Sequence, residues 1–577
     1  MFWPLYRAFG LVLAWNLFVL FTFVAAGLCA LAWLRELGLP RGPALLGGLA
    51  FEIAPYRTVQ SAGHLLGPIA VLLPLSLWAL ERGRRGNPWW LLLSAASIAS
   101  VPLSGQVHLA IGTTGFYAAY ALVRIPAVTR RLRTYLGGAA LGVALSIGAG
   151  LLIDRVVVQG SVSAGGRSLS AVSAYSADWL DFFTRHERHG SESFVFVGWV
   201  TPILALVGLY VLARTARRWL AAVLGLGALV PMLLALGTNT PLYRPVHAVV
   251  PGLQYPRVPE RLMPVACLAI AALVAFALEL VSNGQLLGSG WGQTLLRPRT
   301  GMAIAAVAVV VVAADLHFHA LRASAADQNN KAYQALASGP RDARLLELPV
   351  FLPDVDYGSV YQYYEVTAKL ERPTGYSTTA PVIADTVARK LQPLNCGDWT
   401  TRPGRWLTRL GITEIAFHRG MFVLNTAVPG RTWFAWRELM LHGFRPSIQD
   451  GAITILDRSH SQLPPQPAPV PEPSHSQAWL CAGWYANDGN GRAMSAGHTA
   501  LWAYGTSTSL VMRSYVGIKV TFSVDGVHRF DRRISSLAEV RVRLGKPGWH
   551  LLTLDTKTLP EVNGRKEGAR LLAYVIR

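Results

Sequence analysis

The chain has 577 residues, of which 52% are hydrophobic and only 15% are charged, against about 25% charged in soluble proteins. Its 53 Lys and Arg outnumber its 32 Asp and Glu and give a formal net charge of +21. The sequence shows no basic stripe interleaved with aromatic residues on a soluble segment, so no nucleic-acid partner is expected; anionic lipid headgroups and membrane topology explain the charge better.

Residues 1–317 contain ten apolar stretches of roughly 14–24 residues, about the length that a helix needs to cross ~30 Å of hydrocarbon. The stretches are 11–34, 43–56, 65–80, 88–103, 109–123, 135–153, 194–212, 219–237, 262–281 and 301–317. This pattern predicts an α-helical polytopic membrane domain of about ten spans.

Arginine residues follow the first, third, fifth, seventh and ninth of these spans. They are Arg35, Arg41, Arg82, Arg84, Arg85, Arg124, Arg130, Arg131, Arg133, Arg214, Arg217, Arg218, Arg297 and Arg299. By the positive-inside rule these connections lie in the cytoplasm, which predicts a multi-pass membrane protein with this orientation. Met1 and everything after Leu316 are then extracytoplasmic.

The loops on the outer side carry the first candidate functional residues. Arg57 and His64 follow Pro55, which ends the second span, and Gln106 and His108 lie in a tight turn between the fourth and fifth spans. An arginine here can bind a phosphate through two parallel hydrogen bonds, and Gln106 and His108 can reach a sugar hydroxyl or a phosphate. Snorkelling of the arginine and capping of the loop are the alternatives.

Two carboxylates and two further arginines complete this set. Asp178 and Asp181 are three residues apart and would share one face of an interfacial helix, while Glu192 precedes the seventh span. Such a carboxylate can act as a general base or bind a divalent metal; solvated acids on a docking helix are the alternative. Arg257 and Arg261 lead into the ninth span and suit a lipid phosphate, with anchoring to headgroups as the alternative.

The rest of the chain is predicted to lie outside the membrane in three parts. Residues 318–460 form an extracytoplasmic α/β domain, with strands within 344–351 and 412–418 and a helix at 382–394. Residues 461–476 form a Pro-rich linker.

Residues 477–577 read as a C-terminal all-β sandwich domain. Residues 519–524 alternate apolar and polar side chains and lead into Asp525-Gly526, a strong hairpin signal. Cys396 and Cys481 belong to different predicted domains, which favours two separate thiols over the alternative, a disulfide.

Several short motifs follow one another in a characteristic order. They are APYR ending at Arg57, GHL at Leu65, ER at Arg82, SGQVH at His108, residues 166–181, Glu192 with VGW at Trp199, GTNTPLYR at Arg244 and PRVPERL at Leu262. This order, over about residues 10–420, resembles the GT-C superfamily of polytopic membrane glycosyltransferases, especially its YfhO-like and related bacterial members. The resemblance implies a transferase that uses a polyprenyl-phosphate-linked sugar on the outer face of a bacterial plasma (inner) membrane.

The chain departs from that group in one place. Enzymes of the group usually carry a catalytic acid in the first outer loop, whereas no acidic residue here precedes Glu36, which is predicted to be cytoplasmic. Two expectations follow: an upstream helix and loop are missing from the sequence, or the protein is not catalytic.

The leading hypothesis is a glycosyltransferase that moves a sugar from a polyprenyl-phosphate donor to a cell-envelope glycan or protein acceptor. The candidate catalytic residues are Glu192 and then Asp178, and the candidate substrate-binding residues are Arg57, His64, Gln106, His108, Arg257 and Arg261. The alternatives are a non-catalytic protein that binds envelope glycan or lipid, or a flippase or polymerase of lipid-linked glycans. In the non-catalytic case the sugar rings would stack on aromatic residues of the β-domain, namely Trp484, Tyr485, Trp502 and Tyr504. No cofactor is assigned, and a divalent metal is the alternative.

Overall fold

The chain folds into two compact units, Met1–Ala326 and Asp327–Arg577. The computed structural model describes residues 2–61, 64–128, 131–186, 191–282, 298–318, 327–422, 430–458, 478–481, 483–485, 491–562 and 565–576. The predicted Pro-rich linker at 461–476 lies outside the described residues.

The first unit is helical. Its helices are α1 (Phe2–Glu36), α2 (Arg41–Glu52), α3 (Pro55–Ser61), α4 (Leu66–Ile69), α5 (Leu72–Arg84), α6 (Trp89–Ser100), α7 (Val107–Val123), α8 (Leu132–Ile153), α9 (Leu169–Ser173), α10 (Val200–Ala213), α11 (Arg218–Ala235), α12 (Tyr243–Val249), α13 (Met263–Ser282) and α14 (Pro298–Leu316). Each of the ten apolar stretches contains a helix.

Among the described residues, four helical segments are long and apolar enough to cross a membrane. They are Phe2–Glu36, Leu132–Val158, Arg218–Ala235 and Pro259–Glu279. Shorter apolar helices cover other predicted spans, including Val107–Val123 and Val200–Ala213. The helices therefore suit a multi-pass membrane protein, and ten crossings stay a prediction.

Helix α13 lies at the centre of this unit. In its apolar stretch 94% of the residues are buried, and it packs against α2, α10 and α11. Small residues allow these close contacts: a Cβ at Gly208 of α10 would strike the backbone carbonyl of Leu273, and one at Gly47 of α2 would lie 2.9 Å from that of Ala271.

A buried ion-pair network joins α5 to α7. The carboxylate of Glu81, 1% exposed, accepts hydrogen bonds from Arg124 at 2.6 and 3.1 Å, from Arg84 at 2.7 Å and from the Tyr120 hydroxyl at 2.7 Å. These bonds satisfy a charge that would otherwise be costly to bury. Both arginines belong to connections that were predicted to be cytoplasmic.

A carboxylate from α14 caps the N-terminus of helix α10. Asp315 accepts hydrogen bonds from the backbone N–H groups of Trp199, Val200 and Thr201 at 2.8–3.0 Å and from the Thr201 hydroxyl at 2.7 Å. It thereby satisfies N–H groups that the first turn of a helix leaves unpaired. Gly198 (φ 95°) lies against this carboxylate, and a Cβ there would collide with it.

In its described residues, the second unit begins with a mixed sheet and short helices. The helices are α15 (Lys331–Ser338), α16 (Ser359–Glu365), α17 (Val382–Leu391), α18 (Pro403–Arg409) and α19 (Gly430–Leu441), and the strands are β1 (Leu345–Leu348), β2 (Glu414–His418), β3 (Arg445–Asp450) and β4 (Ile453–Asp457). The strand order is β1-β2-β4-β3, and only β1 and β2 run parallel. The two predicted strands and the predicted helix are confirmed.

The C-terminal part is all β. Its strands are β5 (Ala478–Leu480), β6 (Arg492–Ala493), β7 (His498–Tyr504), β8 (Ser507–Arg513), β9 (Ile518–Val524), β10 (Val527–Ile534), β11 (Leu537–Arg543), β12 (Trp549–Asp555), β13 (Glu561–Val562), β14 (Arg565–Lys566) and β15 (Arg570–Ile576). The hairpin at Asp525-Gly526 is confirmed, with Val527 opposite Val524. Two antiparallel sheets, β10-β9-β12-β7-β5 and β11-β8-β15-β6, share one hydrophobic cluster.

A disulfide links the two parts of this unit. Cys396 and Cys481 are bonded, with their Cα atoms 5.6 Å apart, so the expectation of two separate thiols was wrong. The indole N–H of Trp502 donates to the carbonyl of Cys396 at 2.7 Å, and its ring stacks on Phe434 at 4.0 Å between centroids. The folded chain thus brings cysteines 85 residues apart into contact.

Candidate active site

Two candidate residues, Glu192 and Gln106, contact the side chain of a third, Arg261. Its Nη2 donates to Glu192 Oε1 at 2.8 Å and its Nη1 donates to Gln106 Oε1 at 3.2 Å. The side chains of Arg261 and Glu192 remain 22% and 24% exposed. A partly exposed arginine that is shared by a carboxylate and an amide can exchange one of these partners for a ligand anion.

Local structure explains how these three side chains come together. Arg261 lies in a single turn of 3-10 helix, Pro259–Leu262, that leads directly into the central helix α13. Gln106 precedes α7 and follows Gly105, whose φ of 75° needs a glycine. Glu192 lies in a short 3-10 turn, Ser191–Ser193. The cluster therefore joins three separate loops at the helix ends.

Buried polar groups lie beside Arg261. Glu260 is 0% exposed, and its carboxylate oxygens have no hydrogen bond to another described residue. The hydroxyls of Tyr56 and Tyr243 are likewise buried without such a bond, and Glu260 is within electrostatic reach of both. His108, 1% exposed, lies within reach of Arg261 and beside the backbone of Val258.

Glu260 and the two tyrosines were missed by the sequence analysis. An acidic residue at the entry of an apolar span is itself a signal for a functional residue, but Glu260 was read only as part of the arginine-bearing motif. Tyr56 and Tyr243 carry no such signal, since buried tyrosines are common in any core.

Arg57 occupies an enclosed position. It is 0% exposed, and its Nη groups donate to the backbone carbonyls of Phe51, Glu52 and Gly67 at 2.8–3.3 Å. Its guanidinium also lies 4.9 Å from the ring centre of Phe51. These contacts favour a structural role, so Arg57 is left out of the site proposed below. His64 is partly exposed between α3 and α4.

Asp178 lies at an exposed turn. It precedes a 3-10 helix, Trp179–Phe183, where a longer interfacial helix was expected. Its backbone N–H donates to Asp181 Oδ2 at 2.7 Å, and its Oδ1 accepts from Asn239 at 3.0 Å. Trp179 and Phe183 are exposed, whereas Phe182 is buried.

The guanidinium of Arg257 lies 4.7 Å from the ring centre of Tyr175. Within the described residues, neither Arg257 nor Asp178 is hydrogen-bonded to Arg261 or Glu192. In the described ranges no group of three His, Cys, Asp or Glu side chains is placed to hold a metal ion.

The aromatic residues proposed to stack on sugars have other contacts. Trp502 is 5% exposed and stacks on Phe434. The indole of Trp484 donates to the carbonyl of Ala500 at 3.0 Å, and the Tyr485 hydroxyl donates to that of Lys566 at 3.0 Å. Tyr504 packs edge-on against Trp549. The described contacts therefore give the sugar-stacking hypothesis no support.

No protein-family model and no curated protein sequence matches the chain. Among solved structures it is similar to a mutant of arabinofuranosyltransferase AftD from Mycobacteria, with a TM-score of 0.52 and 13% identity over 99% of this chain and 56% of that one. A second structure of AftD from Mycobacteria aligns with a TM-score of 0.49 and 12% identity over 99% of this chain and 54% of that one. The chain thus spans about half the length of that protein. At this identity the likeness is one of fold.

Proposed function

We propose that the chain is a GT-C-type membrane glycosyltransferase that transfers a sugar from a polyprenyl-phosphate-linked donor to a cell-envelope acceptor on the outer face of the plasma membrane. The fold similarity to an arabinofuranosyltransferase supports this class. The observation that carries the proposal is the contact of Arg261 with both Glu192 and Gln106 at partly exposed loops.

Each side chain of this cluster has a role in the proposed reaction. The donor phosphate binds the guanidinium of Arg261, because planar N–H groups match phosphate oxygens. When the phosphate takes over the bond at Nη2, Glu192 Oε1 becomes available as a general base. The amide of Gln106 then keeps the guanidinium oriented through Nη1.

Arg261 and Glu192 together account for the proton and the leaving group of the transfer step. The acceptor hydroxyl oxygen forms a bond to the anomeric carbon of the sugar while the bond from that carbon to the phosphate oxygen breaks. The hydroxyl proton passes to Glu192, and the lipid phosphate leaves with its negative charge held by Arg261. In this proposal Glu192 accepts the proton and Arg261 binds the phosphate at the same reacting centre, which accounts for the contact between the two side chains.

The experiment is transfer of radiolabelled sugar from polyprenyl-phosphate donors in membranes that carry the full chain. Polyprenyl-phosphate arabinose is the first donor to test, since the similar structure is an arabinofuranosyltransferase. Removing one group that stabilises developing charge typically lowers kcat about 100- to 1,000-fold, so Arg261→Ala should lose transfer to that extent.

Arg244→Ala is the matched control, because Arg244 is an exposed arginine of the outer loops. It should transfer sugar at the wild-type rate. Wild-type transfer by Arg261→Ala membranes, at equal amounts of protein, would overturn the assignment of Arg261.

A further inference from the structure

One end of the two C-terminal sheets carries two turns side by side. The first joins β8 to β9 and the second joins β10 to β11. Ile534 pairs with Ile518, and Leu537 pairs with Arg513, so both turns lie at the same end. This end, called the basic tip, comprises Arg513, Tyr515, Val516, Arg532, Arg533 and Leu537.

The basic tip exposes large apolar side chains. Tyr515, Val516 and Leu537 are 60%, 53% and 63% exposed. Isolated exposed apolar residues are ordinary, but a group at the end of one domain points to a contact surface. All three lie in or directly beside the two turns and are therefore grouped at this end of the sheets.

Arginines surround these apolar side chains. The guanidinium of Arg513 lies 4.9 Å from the ring centre of Tyr515. Arg533 covers the turn, because a Cβ at Gly517 would lie 3.2 Å from its Nε. Arg532 is exposed on the same strand. The tip therefore combines an apolar centre with a positive rim.

The net charge around the tip is positive. Residues 507–543 contain seven Lys and Arg against three Asp and Glu. Of these acids, Asp531 pairs with Lys519 at 2.7 Å and Glu539 with Arg541 at 3.3 Å. The ion pairs described in this segment thus involve none of the three tip arginines.

We propose that the basic tip docks on a bilayer surface that carries anionic phospholipids. Apolar side chains that enter the headgroup region, with arginines at the level of the phosphates, are the usual arrangement of interfacial contacts. An anionic polysaccharide would use the arginines but would leave Val516 and Leu537 without a partner. The proposal is independent of the glycosyltransferase assignment.

The test follows a fluorescent reporter on the full chain reconstituted in lipid nanodiscs. An NBD label is attached at Val516→Cys in a Cys29→Ser background, and lipids with a nitroxide on the acyl chain quench it when it enters the bilayer. Quenching should be strong in discs that contain phosphatidylglycerol and weak in pure phosphatidylcholine. Lys546→Cys, an exposed position at the opposite end of the sheets, should remain unquenched in both.

Charge neutralisation tests the rim. Each of Arg513→Gln and Arg533→Gln should lower the ratio of docked to undocked reporter about fivefold. On the labelled protein with all its arginines in place, 0.5 M salt should also lower that ratio. Quenching that does not depend on phosphatidylglycerol, or equal quenching at residues 516 and 546, would overturn the proposal. A change in NBD fluorescence when an anionic polysaccharide is added to phosphatidylcholine discs, without quenching by the lipid nitroxide, would assign the tip to a glycan instead.

Discussion

His498 Nε2 lies 2.7 Å from Asp398 Oδ2, a contact that joins β7 to the loop after the disulfide cysteine Cys396. On the other side of the ring, Nδ1 lies 2.6 Å from Asp555 Oδ1. A neutral imidazole has one N–H and can donate to only one of these carboxylates, whereas the protonated ring donates to both. The pair of carboxylates therefore selects the charged histidine.

The stability of the second unit should depend on pH through His498. Although burial opposes the charged ring, hydrogen bonds to Asp398 and Asp555 raise its pKa from 6.5 to about 9. A raised pKa stabilises the fold fully below pH 6.5, and this contribution is lost as the pH rises through about 9. The difference in Tm between wild type and His498→Gln should accordingly be large at pH 6 and small at pH 9.5.

His528→Gln is the control for that measurement, because His528 is 61% exposed beside Asp531. Its difference in Tm from wild type should be small at both pH values. A difference for His498→Gln that stayed constant from pH 6 to pH 9.5 would contradict the bridging role.

Replacing Asp315 should destabilise the first unit. Asp315→Ala removes the acceptor of three backbone N–H groups at the start of α10, and each unsatisfied buried group costs about 1–3 kcal/mol. We expect a clear drop in Tm in detergent and a smaller drop for Asp315→Asn. Gly198→Ala should lower Tm by pushing the same carboxylate away, whereas Gly148→Ala, with open space around its Cβ position, should not.

Loss of the Glu81 ion pairs should lower stability more than loss of the Glu36 ion pairs. Glu81→Gln leaves Arg84 and Arg124 without their buried partner, and breaking such a pair costs about 3–5 kcal/mol. Glu36→Gln removes contacts to Arg82 and Arg85, which are 47% and 53% exposed, so it should cost less than about 1 kcal/mol. Thermal unfolding of both variants in one detergent measures the difference; equal drops in Tm would refute it.

The two candidate acids should differ in activity. Glu192→Gln keeps the size of the side chain but removes the proposed general base that lies against Arg261, so transfer should fall about 100-fold or more. Asp178→Asn changes an exposed turn that is bonded to Asn239 and should transfer sugar at a near-normal rate. The reverse ranking would move the catalytic role to Asp178.

Local signals predicted much of this fold. The hairpin at Asp525-Gly526 follows from two residues that favour a tight turn. Each apolar stretch of the sequence contains a helix in the structure. The partners of Arg261 could not be predicted, because Gln106 and Glu192 lie 155 and 69 residues away in sequence. The Cys396–Cys481 bond required the same long-range information.

Two residues show how burial separates similar signals. Arg57 and Arg261 both belong to motifs that the sequence predicts on the outer side, yet Arg57 is enclosed by backbone carbonyls and Arg261 remains partly exposed. Glu260 is the reverse case: its sequence context did not single it out, yet its carboxylate is buried where the chain turns into α13. Only the packed fold distinguishes these cases.

The position of Arg261, two residues before the enclosed helix α13, also determines which parts of the chain near it can move. A helix held on all sides by other helices has little freedom to tilt or slide. The backbone of Arg261 is thus tied to a rigid helix, whereas Gln106 and Glu192 lie on short connecting segments. In the proposed reaction, a bulky lipid-linked donor would therefore enter by displacing these connecting segments rather than α13.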